Sequence, residues 1–185
     1  MRKAIVWLAL WSCSHASWAF QDIRTPPVLP AVGTVQVAFT PGDDAAALVI
    51  AAIHDARRQI RIQAFSFTHR AIADALIAAH QRGVDVALIA DSEQADRIST
   101  SVVRHMAAAG VPVYLDAGHA SAHSKIMIID VNSAPVVITG SYNFTHAAQY
   151  RNAENLLILR GNPALTQAYD INWRYHREHA TALNP

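Results

Sequence analysis

His123-Ser124-Lys125-Ile126-Met127-Ile128-Ile129-Asp130, followed after a turn by Gly140-Ser141-Tyr142-Asn143, decides the reading of this chain. Ile126 to Ile129 is an unbroken apolar run, as in a strand buried within a sheet. Lys125 is the only lysine apart from Lys3; all other basic side chains are arginine or histidine. An ammonium on an apolar strand is costly to bury unless it meets an anion. The pair therefore marks a candidate anion-handling site.

Residues i and i+2 of a strand share a face, so His123 and Lys125 project the same way. Asn132-Ser133-Ala134-Pro135 turns the chain into a partner strand, Val136 to Thr139. The resulting hairpin returns Gly140-Ser141-Tyr142-Asn143 to the start of the motif strand. Gly140 permits close backbone approach, and Ser141 and Asn143 can donate hydrogen bonds into the same pocket. An imidazole, an ammonium, a hydroxyl and an amide together suit a phosphate. The ammonium and neutral donors hold the oxygens, leaving histidine to attack phosphorus or move a proton. Glu154, one of three glutamates, is the candidate carboxylate for orienting the His123 ring.

Outward from the motif, Val35, Val37 and Phe39 alternate as a strand, and Pro41-Gly42-Asp43-Asp44 caps a helix running to about Arg57. Its expected apolar stripe is Leu48, Ile50 and Ile53. Ile60 to Phe67 reads as a strand, and His69 to Arg82 as a helix with Ile72, Leu76 and Ile77 inward. Val84 to Ala90 reads as a central strand, Ser92 to Ala109 as one helix and Val111 to Leu115 as a short strand. Ala153 to Leu159 is a further strand, and Pro163 to about Ala180 a closing helix. Alternating strands and helices followed by a hairpin predict an α/β sandwich: a mixed, mostly parallel sheet with helices on both faces.

Met1-Arg2-Lys3, the apolar run Ala4 to Trp11 and the small residues Ser17 and Ala19 read as a secretory signal peptide over residues 1–19. This implies a periplasmic or secreted protein. Trp11 makes Leu10-Trp11-Ser12-Cys13 a poor lipoprotein site. Residues 20–33, with Pro26, Pro27 and Pro30, form an extended lead-in, and residues 34–185 one domain. Removing Arg2 and Lys3 from the 15 Lys+Arg leaves 13 against 14 Asp+Glu, so nucleic acid would need a local basic patch. Cys13 is the only cysteine, which excludes thiol chemistry from the mature chain.

The motif resembles that of the phospholipase D superfamily: His-x-Lys, four residues, Asp, six residues, Gly-Ser-x-Asn. The matching positions are His123, Lys125, Asp130, Gly140, Ser141 and Asn143. Nine residues rather than six separate Asp130 from Gly140, and the extra three fall in the hairpin turn. Phe65-Ser66-Phe67-Thr68 and Asn152-Ala153-Glu154-Asn155 also look like this family. The resemblance implies a phospholipase D-like domain and a phosphodiesterase needing no metal or other cofactor. One histidine would attack phosphorus to form a phosphohistidine, while a second protonates the leaving oxygen. A single motif in a small exported chain looks like the bacterial endonuclease branch, whose site is completed by homodimerisation. The substrate would then be DNA or RNA. Lys125, Ser141 and Asn143 would bind it, His123 would be the nucleophile and Glu154 its orienting carboxylate. A lipid phosphodiesterase with the same site, and a non-catalytic nucleic-acid-binding or secretion-accessory protein, are the alternatives.

Other residues favour structural readings. Asp130 is expected to pair with an arginine or cap a turn, although its motif position also makes it a catalytic candidate. His119, His176 and His179 lack a recognisable further ligand by spacing and read as surface residues. Trp173 and Tyr175 read as core or dimer contacts. Arg57, Arg58 and Arg61 fit either a solvated face or a phosphate-binding cluster.

Overall fold

Alternating Val35, Val37 and Phe39 lie on β1 (Thr34–Thr40), and Asp44 caps α1 (Ala45–Asp55) by accepting a 2.9 Å bond from the Ala47 amide. The structure is a computed structural model describing residues 25–184; the expected leader lies outside the described residues. Residues 25–33, the described part of the expected lead-in, have no regular secondary structure. The α1 stripe differs from expectation: Val49, Ala52 and Ile53 are buried, while Leu48 and Ile50 pack only at its margin.

Next come β2 (Gln59–Ala64), α2 (Arg70–Gln81) and β3 (Asp85–Asp91). Ile72, Leu76 and Ile77 of α2 are buried, as their spacing predicts. The anticipated helix 92–109 is instead two, α3 (Ser92–Arg97) and α4 (Val103–Ala108). Ile98 leaves helical geometry at ψ 108°, and the Val102 amide bonds Phe67 O at 3.0 Å, drawing the chain toward the loop after β2. The remaining elements are β4 (Val113–Asp116), β5 (Lys125–Ile129), β6 (Val136–Gly140), α5 (His146–Tyr150), β7 (Glu154–Arg160), α6 (Pro163–His179) and an unanticipated β8 (Thr181–Ala182).

Among the described residues, eight strands form one sheet, ordered β1-β7-β6-β5-β2-β3-β4-β8. Only β2–β3 and β3–β4 are parallel; the other pairs are antiparallel. This corrects the expectation of a mostly parallel sheet. Crossovers through α2 and through α3 and α4 make parallel neighbours, whereas the β5–β6–β7 meander cannot. Moreover, β1 joins β7 at the edge rather than lying beside β2.

Helices cover both faces, as expected. Met127 and Ile129 enter the large core that includes α1, α2 and α4, while Ile126 and Ile128 enter a second core with Trp173 of α6. Successive residues of β5 thus alternate between the two cores. Trp173 is a core residue whose indole donates to Ile62 O at 2.9 Å.

One surface assignment is corrected. His119, His176 and His179 converge on Asp116, whose side chain is fully buried. The sequence hid this group because its members are distant in the chain.

Candidate active site

Strand β5 begins at Lys125, so His123 sits on the irregular segment just before it and is exposed. Lys125 is buried at 8% exposure. Its ammonium lies 2.9 Å from His123 Nδ1 and donates to His123 O at 2.6 Å. Phe65, immediately beyond β2, completes the group. Its ring lies 4.3 Å from the His123 ring centroid to centroid, and Lys125 Nζ sits 4.9 Å from its centre. Phe65 is thus a site-forming residue whose sequence signal was only its place in Phe65-Ser66-Phe67-Thr68. Burial lowers the Lys125 pKa from its ordinary value, and the negative charge of Glu154 partly opposes that shift.

The hairpin delivers the second half of the motif. Met127 is opposite Ile138, and two residues further along the register reaches Lys125 and Gly140. Gly140 has φ 143°, and an added Cβ would stand 2.3 Å from Asn155 O. Only glycine allows β6 to approach β7 this closely while turning into Ser141. Ser141 Oγ accepts from the Asn155 amide at 3.0 Å, leaving its own hydrogen available. Asn143 is half-buried, and its side-chain carbonyl has no hydrogen-bond partner among the described residues.

One open pocket is lined by His123, Ser124, Lys125, Ile126, Thr139, Gly140, Ser141, Asn143 and Glu154. It unites five of the six sequence candidates. Asp130 is the exception: it lies beyond the opposite end of β5, buried, with φ 49°. Its carboxylate accepts from the backbone amides of Arg57, Arg58 and Gln59 at 2.8, 2.7 and 3.0 Å. Asp130 therefore fixes the α1–β2 junction and stands apart from the pocket that holds the other five candidates. Its partners are peptide groups rather than an arginine side chain.

Glu154 reaches the pocket but accepts from Asn152 Nδ2 at 3.0 Å rather than from His123. The orienting contact anticipated for it is occupied here by Lys125. Arg61 is not free for phosphate: it pairs with Asp85 and stacks 5.2 Å from the Trp173 ring centre.

The donor set can bind a tetrahedral anion, with one imidazole positioned to react. The family model for the cardiolipin synthase, PLD-like domain matches residues 49–174. The chain belongs to this phospholipase D-like family. It is 34% identical over 139 residues to a phospholipase D from Rickettsia typhi, covering 75% of this chain and 66% of that protein. Among solved structures it resembles the phospholipase D family member Nuc from Salmonella typhimurium, with 33% identity and a TM-score of 0.77. That match covers 83% of this chain and all of the other. NucT from Helicobacter pylori matches with 25% identity and a TM-score of 0.72, covering 81% and 99% of the two chains.

Proposed function

We propose that this protein is a phosphodiesterase acting through a phosphohistidine, and that its substrate is DNA or RNA cleaved internally without sequence preference. The observation that carries this reading is the buried Lys125 ammonium held beside His123 in a pocket with Ser141, Asn143 and Glu154. These groups supply a nucleophile and phosphate-oxygen donors from protein side chains alone.

The local geometry refines the mechanism. An ammonium donating to His123 Nδ1 leaves the proton of a neutral imidazole on Nε2. Attack through Nε2 requires that proton on Nδ1 instead. Binding phosphate draws the ammonium toward the non-bridging oxygens, and Glu154 in the same pocket then accepts from Nδ1. Nε2 attacks phosphorus, the bond to the leaving oxygen breaks, and that oxygen takes a proton from a second imidazole. Water then attacks the phosphohistidine and gives its proton to that second imidazole, restoring His123.

Among the described residues the pocket is lined by one histidine, and the second would come from another copy of the chain. An uncovered apolar face supports a homodimer. Val35, Val37 and Phe39 are 65%, 48% and 60% exposed on β1, opposite Leu159, Leu157 and Asn155 of β7. That β7 strand begins at Glu154, so the face borders the pocket. A two-fold arrangement would bring both copies of His123 to one phosphate. The expected signal peptide would place the enzyme in the periplasm or outside the cell.

A lipid phosphodiester is the second reading, favoured by the phospholipase D relative and by the same apolar face, which would serve as a lipid-facing rim. Plasmid cleavage and liposome hydrolysis by one preparation decide between them, each run with EDTA and beside His123→Ala. Nuclease activity that resists EDTA and disappears in the variant is expected. Equal cleavage by the variant overturns the site. Cleavage lost to EDTA from a chain that remains folded overturns the metal-free chemistry. An active monomer in sedimentation overturns the shared site.

A further inference from the structure

The histidines around Asp116 form a second chemical centre, built from parts of the fold that the phosphate site does not use. Asp116 ends β4, His119 follows on the segment leading to His123, and His176 and His179 occupy the last turn of α6. His176 Nδ1 lies 3.1 Å and His179 Nε2 3.3 Å from Asp116 Oδ2, while His119 Nδ1 lies 3.3 Å from Oδ1. One ligand atom from each residue falls within 4.8 Å of all the others.

We propose that these four residues bind one Zn²⁺ ion, which clamps the end of α6 to the segment preceding His123. Three imidazoles and one carboxylate form a closed N₃O set of the kind used in structural zinc sites. Ligand atoms ~2.0–2.1 Å from a tetrahedral zinc stand about 3.3–3.4 Å apart. The two separations to the shared oxygen Oδ2, 3.1 and 3.3 Å, lie close to that spacing and exceed the usual N–H···O hydrogen-bond length of about 2.9–3.0 Å, while His119 faces Oδ1. The ring centroids are also only 4.9, 5.1 and 5.3 Å apart. A cation at their centre satisfies all three nitrogens at once, without crowding three ring protons around one carboxylate.

The surrounding structure supports a built site. The Gly118 amide donates to Asp116 Oδ1 at 2.9 Å and fixes the carboxylate, a common way of orienting a metal ligand. The His176 and His179 side chains are each 17% exposed, whereas His119 is 41% exposed and offers the entry route. The pocket beside it contains Asp91, Glu93 and Asp96, of which Glu93 pairs with Arg97, Asp96 with Arg104, and buried Asp91 accepts from the amides of Gln94 and Ala122. A staple here would tie β4 and α6 to the residues carrying the phosphate site, in a chain whose only cysteine, Cys13, lies in the expected leader.

The test uses tag-free mature chain, stripped with EDTA and titrated with Zn²⁺ against a chromophoric chelator. About one tightly bound ion per chain and a rise in Tm are expected. The His176→Ala/His179→Ala double variant should lose this binding, and His119→Ala should weaken it at least about tenfold. His123→Ala should bind as well as wild type. Should the double variant fail to fold, Co²⁺ loaded into wild type gives an independent readout: intense tetrahedral d–d bands are expected. Absence of tight wild-type binding, loss of binding in His123→Ala, or a weak octahedral Co²⁺ spectrum each overturns the proposal.

Discussion

Lys125 Nζ lies 2.9 Å from Nδ1 of His123 and 2.6 Å from the carbonyl oxygen of that same residue. One buried cation therefore holds both the ring and the backbone of the proposed nucleophile. With the aromatic face of Phe65 beneath it, the ammonium has lost much of its hydration before any substrate arrives. A phosphate would supply the missing counter-charge.

Lys125→Met tests this relationship. It keeps an unbranched apolar stem and removes the charge. We expect kcat to fall roughly 10²–10³-fold, the range for loss of a preorganised charge-stabilising donor. Stability should stay level or rise, because the buried charge has no carboxylate bonded to it among the described residues. Steady-state kinetics with thermal unfolding checks both parts; a parallel fall in Tm and activity would make Lys125 a structural residue.

Tyr142 provides a pH signature separate from the site chemistry. Its hydroxyl donates to Gln149 Oε1 at 3.2 Å and is almost fully buried. Burial, reinforced by the charges of Asp44 and Tyr150, raises its pKa above the ordinary value of 10.0. The stabilisation that follows is fully present below the unfolded-state value and is lost as pH rises through it toward the folded-state value. Wild type should therefore lose stability relative to Tyr142→Phe from about pH 10 upward. Near neutrality the variant should be about 1 kcal/mol less stable, through the missing hydrogen bond. Urea midpoints across this range check the crossover; Lys125 is common to both proteins and cancels.

The site was more legible than the sheet. Lys125, Ser141 and Asn143 are brought together by one hairpin that the sequence shows locally, whereas His123 stands on the irregular segment before β5 and reaches Lys125 by chain proximity rather than by a shared strand face. Strand order depends on long-range pairing: β1 beside β7, β5 beside β2 and β8 beside β4 have no local signal. The Asp116 group was invisible for the same reason, since His176 lies 60 positions beyond Asp116 in the chain. The break between α3 and α4 rests on a contact with Phe67, a residue outside the segment itself.

Asp130→Ala should separate folding from chemistry. Removing this carboxylate leaves the amides of Arg57, Arg58 and Gln59 without their acceptor at a partly buried junction. The expected loss is roughly 3 kcal/mol or more. Because Asp130 does not line the pocket, kcat per folded molecule should change by less than an order of magnitude. Denaturant unfolding and active-site-normalised kinetics give the two numbers independently. A large fall in kcat with unchanged stability would return Asp130 to the reaction.

Glu154→Gln addresses the proton on the His123 ring. In the present arrangement Glu154 accepts from Asn152 and acts on Lys125 through its charge. If it takes over Nδ1 once phosphate engages the ammonium, its carboxylate is needed during turnover rather than for folding. Glutamine keeps the shape and an acceptor oxygen but cannot stabilise a developing imidazolium. A roughly 10²-fold fall in kcat is expected, within the usual range for a general acid–base element. Tm should move little at this half-exposed strand end. The positioning role also predicts a changed pH profile of kcat, because the ring would protonate without its carboxylate partner. An unchanged profile with a loss confined to KM would instead assign Glu154 to substrate binding and leave His123 oriented by Lys125 alone.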